Sequence, residues 1–183
     1  MIDLETILER CKKNDTQAQL QLYNWLAPVL LGISLRYMQN RDEAEDVMQD
    51  AFVKIFTNIK AFKNEGSFEG WAKRIAVNTA LTALKVKKRI YFERNLEIVE
   101  TIEFDGEEQD LINLPEILAC MAALPEGYRT IINLCLVEEF THKEIAEKLG
   151  ISESTSRSQL SRARQALLKL LKEKTGIISR KNA

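Results

Sequence analysis

The chain has 183 residues, 45% of them apolar, which suits one large or two small packed domains and excludes a disordered chain. Cys11, Cys120 and Cys135 are far apart and share no metal-ligand spacing with the single histidine, so we expect buried thiols and neither a disulfide framework nor a zinc site. The longest apolar stretch, residues 27–35, is too short to cross a bilayer, and the acidic N-terminus lacks signal-peptide features, so we expect a cytoplasmic protein without membrane insertion.

The net charge of −1 conceals an uneven distribution of charge along the chain. Residues 1–92 carry 14 basic and 11 acidic side chains, residues 93–115 carry 1 and 8, and residues 116–183 carry 11 and 8. Two basic segments separated by an acidic one favour a nucleic-acid binder with two contact surfaces.

Helical periodicity dominates, and no alternating apolar run is long enough for a sheet, so we predict an all-α fold of two small helical domains. The first domain is predicted over residues 1–92, with helices at about 3–12, 16–38 (capped by Thr16, with Pro28 as a point of bending or division), 43–62 (after a short turn at residues 40–42) and 69–89. The acidic residues 93–114 are predicted to form a flexible linker. The second domain is predicted over residues 115–183, with helices at about 115–123, 125–138, 141–149 and 152–174.

The strongest local signal lies between residues 141 and 155. Thr141, followed three residues later by Glu144, predicts a capping box at a helix start. Gly150 suits the positive backbone angle after a short helix, and Ser152 is placed to cap the next one. This order predicts a helix-turn-helix whose second helix is free to enter a DNA major groove.

The second of these helices has apolar side chains on one side and short polar and basic ones on the other. Arg162 suits pairing with guanine and Gln159, at the flank, pairing with adenine, while Arg157 is better placed for phosphate. The alternative is an ordinary solvated helix face. The residues predicted to contact duplex DNA are Thr155, Arg157, Ser158, Gln159, Ser161, Arg162 and Lys169.

The helix predicted after residue 42 has a polar face opposite its apolar one. Asp46, Gln49 and Asp50 lie on it with Val53 beside them, and an apolar residue among carboxylates indicates a docking surface, although solvated decoration is the alternative. No histidine, cysteine or glycine-rich loop accompanies these carboxylates, so we expect neither an enzyme nor a cofactor. These four residues are named the docking surface below.

The next helix has a cationic face with an amide at its centre. Asn78 offers a donor and an acceptor to a base edge, and the flanking cations suit phosphates. Nearby Phe62, Phe68 and Trp71 are either platforms for unpaired bases or core residues. The face, named the basic stripe below, consists of Arg74, Asn78, Thr82, Lys85 and Arg89.

Three segments resemble the sigma-70 family of bacterial RNA polymerase sigma factors. Residues 42–56 resemble its region 2.2, residues 66–81 resemble its regions 2.3 and 2.4, and residues 124–129 with the following helix-turn-helix resemble its region 4. Their order and spacing match the family, and the sequence leaves no room for regions 1.1 or 3, which marks the extracytoplasmic-function group.

The resemblance implies partners and residue roles. The docking surface would bind the clamp helices of the largest subunit of core RNA polymerase, and region 4 would meet the polymerase flap. Residues 62–68 would capture a flipped base of the non-template strand, and the basic stripe would contact the minus-ten element. Arg157, Ser158 and Arg162 would contact the minus-thirty-five element, and an anti-sigma factor is a further expected partner.

Two departures from the family pattern concern the recognition helix. Ser156 takes a core-facing place where the family more often has an apolar residue, and Gln159 stands where arginine is common. The first bears on the tilt of the helix and the second on its base preference.

The expected function is that of a sigma factor, which binds core polymerase and directs it to promoter DNA, with no small-molecule substrate. One alternative is a conventional helix-turn-helix regulator with an N-terminal sensing domain, which would bind a palindrome as a dimer without polymerase. Another is a purely protein-binding module, which would leave the basic recognition face unexplained.

Overall fold

A computed structural model describes residues 3–63, 65–86 and 113–175, which fall into two compact units, Met1–Lys87 and Lys88–Ala183. Every regular element in these described ranges is a helix or helical turn, which confirms the all-α prediction. The predicted linker lies outside the described residues except for its last two, Asn113 and Leu114, which begin the first helix of the second unit.

The first unit contains four α-helices among its described residues. The predicted extension of the fourth helix to Arg89 lies outside the described residues. Helices α2, α3 and α4 pack against one another, and α1 packs on α2. The helices are α1 (Leu4–Lys12), α2 (Thr16–Tyr37), α3 (Arg41–Asn58) and α4 (Phe68–Val86), with a 3₁₀ turn at Ile59–Ala61 after α3.

The corner between α1 and α2 is built around Asp15. Its carboxylate accepts hydrogen bonds from the backbone N–H groups of Gln17 and Ala18, at 2.9 and 3.1 Å, and from Nε of Arg10 at 2.9 Å. The hydrogen bond from Ala18 first, and then Arg10, hold the pKa of Asp15 below its ordinary value of 3.8. The cap of α2 is therefore Asp15, and the prediction of Thr16 was wrong by one residue.

The core of the first unit is formed by one face of each long helix. Pro28 lies inside α2 without dividing it. Tyr37, Ile55 and Leu84, from α2, α3 and α4, are each at most 1% exposed. The apolar face predicted for the third helix is buried at every position, namely Ala44, Val47, Met48, Ala51, Phe52, Ile55 and Ile59.

The described part of the second unit also contains four α-helices, and α8 packs against the other three. Arg129 on α6 is buried, and its Nη1 donates to the carbonyl oxygen of Ala122 near the end of α5, at 2.9 Å. Burial lowers the pKa of the Arg129 guanidinium. The helices are α5 (Leu114–Ala123), α6 (Glu126–Ile132), α7 (His142–Leu149) and α8 (Glu153–Thr175), with a π-helical turn at Asn133–Val137 after α6.

Helices α7 and α8 form the predicted helix-turn-helix. Thr141 and Glu144 make the capping box, with the Thr141 N–H donating to Glu144 Oε2 at 2.9 Å. Gly150 has φ of 71°, and its N–H donates to the carbonyl of Ala146 at 2.8 Å. Ser152 Oγ accepts from the backbone N–H of Thr155 at 3.0 Å, which confirms its predicted capping role.

Cys11 and Cys120 are buried thiols as expected, whereas Cys135 is partly exposed. Burial raises the pKa of the Cys11 thiol. None of the helices in the described ranges has the length and apolar character that crossing a bilayer requires.

Candidate docking and nucleic-acid surfaces

The docking surface is exposed at all four positions of α3, with Val53 64% exposed. Its apolar residue is thus open to solvent beside carboxylates. In the described part of the chain, no ion pair or hydrogen bond engages the side chains of Asp46 and Asp50, whereas the neighbouring Glu45 accepts from Arg41 Nε at 2.7 Å. Unpaired carboxylates around an exposed valine leave this face available to a basic partner.

The basic stripe occupies the exposed side of α4. Arg74, Asn78, Thr82 and Lys85 are all exposed, and Arg89 lies outside the described residues. The Thr82 hydroxyl donates to the carbonyl oxygen of Asn78 at 2.8 Å, so it is turned back onto the helix. The other side of α4 is buried in the unit, so its orientation is fixed by packing.

The three aromatic rings near the start of α4 pack on one another. Phe62 is 8% and Phe68 3% exposed. Ring centroids are 5.2 Å apart for Phe62 and Phe68, 5.5 Å for Phe62 and Trp71, and 5.3 Å for Phe68 and Trp71. In this arrangement Phe62 and Phe68 are core residues whose ring faces are covered, and their contact with an unpaired base stays a prediction.

The loop above these rings is nevertheless exposed at Glu65, Gly66 and Ser67. Gly66 has φ of 86°, a region that glycine adopts without strain, and Ser67 Oγ accepts from the N–H of Gly70 at 3.0 Å. Beside the loop lies an open groove of about 510 Å³. Its lining residues are Leu4, Glu5, Leu8, Trp25, Phe62, Gly66, Ser67, Phe68 and Glu69.

Recognition helix α8 turns most of its predicted DNA-contacting residues outward. Arg157, Ser158, Ser161 and Lys169 are exposed. Thr155 and Arg162 are partly exposed. Arg157 Nη2 donates to Glu153 Oε2 at 3.0 Å on the surface, an ion pair that water screens and that a phosphate could replace.

Gln159, a member of the predicted DNA-contacting set, is buried in α8. It is 4% exposed, and its Oε1 is buried without a hydrogen-bond partner among the described residues. In this conformation the Gln159 side chain does not face outward, and its pairing with adenine stays a prediction. The burial of Gln159 follows from helical spacing, because Gln159 lies four residues before the fully buried Ala163, on the same helix face.

Ser156 faces the core as predicted, and its partner was missed. It is 0% exposed, and its Oγ lies 2.8 Å from Nδ1 of His142 at the start of α7. This contact joins the two helices of the helix-turn-helix. Sequence reasoning treated the histidine only as a metal-ligand candidate, although its place directly after the α7 cap puts it at the helix crossing.

A second missed contact joins α3 to α4. Lys54 Nζ donates to Thr79 Oγ1 at 3.1 Å, and the Thr79 hydroxyl donates to the carbonyl of Ile75 at 2.8 Å. Lys54 directly follows Val53 of the docking surface, and Thr79 directly follows Asn78 of the basic stripe. No group of three His, Cys, Asp or Glu side chains within the described ranges is arranged to hold a metal ion.

Comparison with known proteins places both units in one family. Residues 22–90 match Sigma-70 region 2, and residues 114–167 match Sigma-70 region 4. The ECF RNA polymerase sigma factor SigW of Bacillus subtilis is 29% identical over 178 residues, covering 91% of this chain and 95% of SigW. The ECF RNA polymerase sigma-E factor of Escherichia coli K12 is 28% identical over 175 residues, covering 89% and 91%.

The fold agrees with a solved structure of the sigma factor RpoE in complex with the anti-sigma factor NepR from Bartonella quintana. The TM-score is 0.52 at 22% identity, over 83% of this chain and 95% of that one. The two region matches fall in order on the two helical units, and the first unit carries the docking surface while the second carries the helix-turn-helix. The chain belongs to the sigma-70 family of RNA polymerase sigma factors, in the extracytoplasmic-function group.

Proposed function

We propose that this chain binds core RNA polymerase and directs it to specific promoters for transcription initiation. The observation that carries the proposal is the match of regions 2 and 4, in chain order, to the two units that bear these surfaces. A dimeric regulator acting without polymerase is not favoured, because a region 2 match has no place in it. In the cytoplasm the chain positions polymerase at promoters, and the polymerase performs the chemistry.

Docking on the polymerase is assigned to the docking surface, with the clamp helices of the largest subunit as its partner. Asp46 and Asp50 are exposed and carry no ion pair within the described part of the chain, so they meet a basic surface without first losing a partner. Val53 adds apolar area at the centre of the contact. Region 4 would contact the flap.

Promoter opening is assigned to the first unit. The exposed members of the basic stripe, with Arg89, would hold the non-template strand of the minus-ten element through phosphates and the Asn78 amide. Since the rings of Phe62 and Phe68 are enclosed, a flipped base would enter the groove beside the loop and meet ring edges and backbone. Unstacking that base costs a few kcal/mol, which the groove would offset.

Recognition of the minus-thirty-five element is assigned to α8. Arg162 would pair with a guanine, Arg157 and Lys169 would hold phosphates, and the short hydroxyls of Ser158 and Ser161 let the helix approach the groove floor. Gln159 has no part in this contact while it stays buried. An anti-sigma factor covering the polymerase and DNA surfaces is the proposed regulator.

The test is capture of core RNA polymerase by the tagged full-length chain, compared with its Asp50→Lys variant. Charge reversal at the centre of an exposed carboxylate face is expected to abolish capture, because it opposes the basic partner. Glu9→Lys is the matched control, since Glu9 is an exposed acid on α1 of the same unit, and it should retain capture.

Run-off transcription across a promoter library completes the test. Core enzyme with the wild-type chain should start RNA synthesis at a defined subset of templates, and core enzyme alone should not. Equal capture by wild type and Asp50→Lys would remove the docking assignment, and absence of any chain-dependent transcript would remove the function.

A further inference from the structure

Lys54 lies one helical turn after Asp50, yet its ammonium group is bound elsewhere. An acidic residue four positions before a lysine on one helix is a favourable arrangement for an ion pair. In this structure Lys54 Nζ instead donates to Thr79 Oγ1 on α4, 3.1 Å away. Asp50 has no ion pair within the described part of the chain.

Thr79 is fixed to receive this ammonium group. It is 3% exposed, and its hydroxyl proton is directed to the carbonyl of Ile75 at 2.8 Å, which leaves an oxygen lone pair facing Lys54. The acceptor is therefore held by packing, whereas Lys54 is exposed and free to change rotamer. Without the threonine hydroxyl, the ammonium group has Asp50 within reach on its own helix.

We propose that Thr79 is a positioning residue for polymerase docking, because by holding Lys54 it keeps the Asp50 carboxylate unpaired for the basic partner. This inference rests on the proposed function, since it concerns the affinity of the docking surface for core polymerase. A Lys54–Asp50 ion pair would have to break on docking. The free energy lost with the pair would weaken binding to the polymerase by the same amount.

The affinity test uses the labelled full-length chain and core RNA polymerase in fluorescence anisotropy titrations at low salt. Thr79→Val keeps the side-chain shape and removes the hydroxyl. It should raise Kd about twofold, because that factor corresponds to the stabilisation from one exposed ion pair at this spacing. Thr79→Ser keeps the hydroxyl and should restore wild-type affinity. In a Lys54→Met background, Thr79→Val should have no effect, because no ammonium group remains to be released.

A merely structural role for Thr79 gives a different pattern. In that case Thr79→Val weakens binding by the same factor with Lys54 or Met at position 54, and this result would overturn the inference. Unchanged affinity of Thr79→Val with Lys54 present would overturn it as well.

A second measurement needs no polymerase and separates this inference from the proposed function. In NMR spectra of the free chain, the Lys54 side-chain protons should show contacts to the Thr79 methyl group in the wild type. In Thr79→Val these contacts should be replaced by contacts to the Asp50 β protons. Persistence of the contacts to residue 79 would refute the inference, while failure of the wild-type chain to bind polymerase would refute only the function.

Discussion

At the residue scale, the buried amide of Gln159 is an energetic cost to the second unit. A buried polar atom without a partner costs about 1–3 kcal/mol, and Gln159 Oε1 is in this position among the described residues. Such a cost is tolerated in a domain whose other helices pack well around α8. Because a core residue and a base-reading residue respond differently to substitution, a variant at position 159 distinguishes the two roles.

Gln159→Leu is expected to stabilise the second unit by about 1 kcal/mol, because it replaces an amide whose buried oxygen has no partner among the described residues with an apolar group of similar size. If Gln159 is a core residue, polymerase bearing this variant should retain its affinity for the minus-thirty-five duplex. Thermal unfolding and DNA binding by the holoenzyme measure the two effects. Arg157→Ala, at an exposed side chain assigned to phosphate, should do the reverse, leaving stability nearly unchanged and weakening DNA binding. Lost promoter binding by a stable Gln159→Leu variant would show that the amide turns outward to DNA.

Asp15 makes the first unit sensitive to acid. Its folded pKa is lowered by the Ala18 hydrogen bond and by Arg10, so its contribution to stability is complete above its ordinary pKa of 3.8 and is lost as the pH falls through the lowered folded value. Asp15→Asn keeps a capping acceptor but removes the charge. The variant should be less stable than wild type at pH 6, and the difference should shrink below pH ~4.

Urea unfolding midpoints between pH 2 and 6 measure this difference. Gln17→Ala, an uncharged change at an exposed position of the same helix, is the control and should not change the pH dependence. A stability difference between Asp15→Asn and wild type that stays constant down to pH 2 would contradict the assigned cause.

Exposed site residues were predictable from helical spacing, whereas buried ones depended on tertiary packing. Asp46, Asp50 and Asn78 lie opposite apolar stripes, so their exposure follows from the 3.6-residue period. The mutual enclosure of Phe62 and Phe68 joins a 3₁₀ turn to a helix start, and the His142–Ser156 contact spans 14 residues. Neither relation is encoded in the period of a single helix.

At the scale of elements, two glycines show how the same side-chain change has opposite effects. Gly150 ends α7 with φ of 71°, whereas Gly32 lies inside α2. A Cβ atom added at either glycine would meet no other atom within 4 Å. Gly150→Ala should therefore cost about 1–2 kcal/mol through backbone strain alone. Gly32→Ala should stabilise α2 by about 0.5–1 kcal/mol, because glycine is a poor helix former.

Thermal unfolding of each variant, followed by tryptophan fluorescence for the first unit and circular dichroism for both, measures these opposite shifts. Trp25 and Trp71 both lie in the first unit, so fluorescence reports Gly32→Ala selectively. A stabilising Gly150→Ala would show that the turn between α7 and α8 does not need the left-handed conformation.

Helix existence was predictable in both units, and the departures have local causes. The α2 cap moved to Asp15 because its carboxylate reaches both backbone donors and Arg10. The predicted helix at 125–138 widens to a π-turn at Asn133–Val137, where Asn133 is 1% exposed. A hydrophobic period does not report such a local widening of the helix.

At the scale of the whole molecule, the proposed function implies that affinity for a promoter arises from two weak contacts used together. The two units carry separate surfaces proposed to contact DNA, and the acidic residues 93–114 of the sequence would have no attraction to DNA. Docking on polymerase presents both units to one DNA molecule, so the second contact forms at a high effective concentration. Neither unit then needs tight binding of its own.

This arrangement requires a fixed separation between the two promoter elements. Inserting 5 base pairs between them, in a promoter selected from the library, turns one element about half a helical turn away from the other. Run-off transcription should fall by about a hundredfold or more, since the advantage of paired binding is lost. The same insertion upstream of the minus-thirty-five element is the control and should have no effect. Transcription insensitive to the spacing would mean that one unit alone selects the promoter.

A dimeric regulator would instead bind palindromic DNA tightly in the absence of core polymerase, which the two-unit mechanism does not allow.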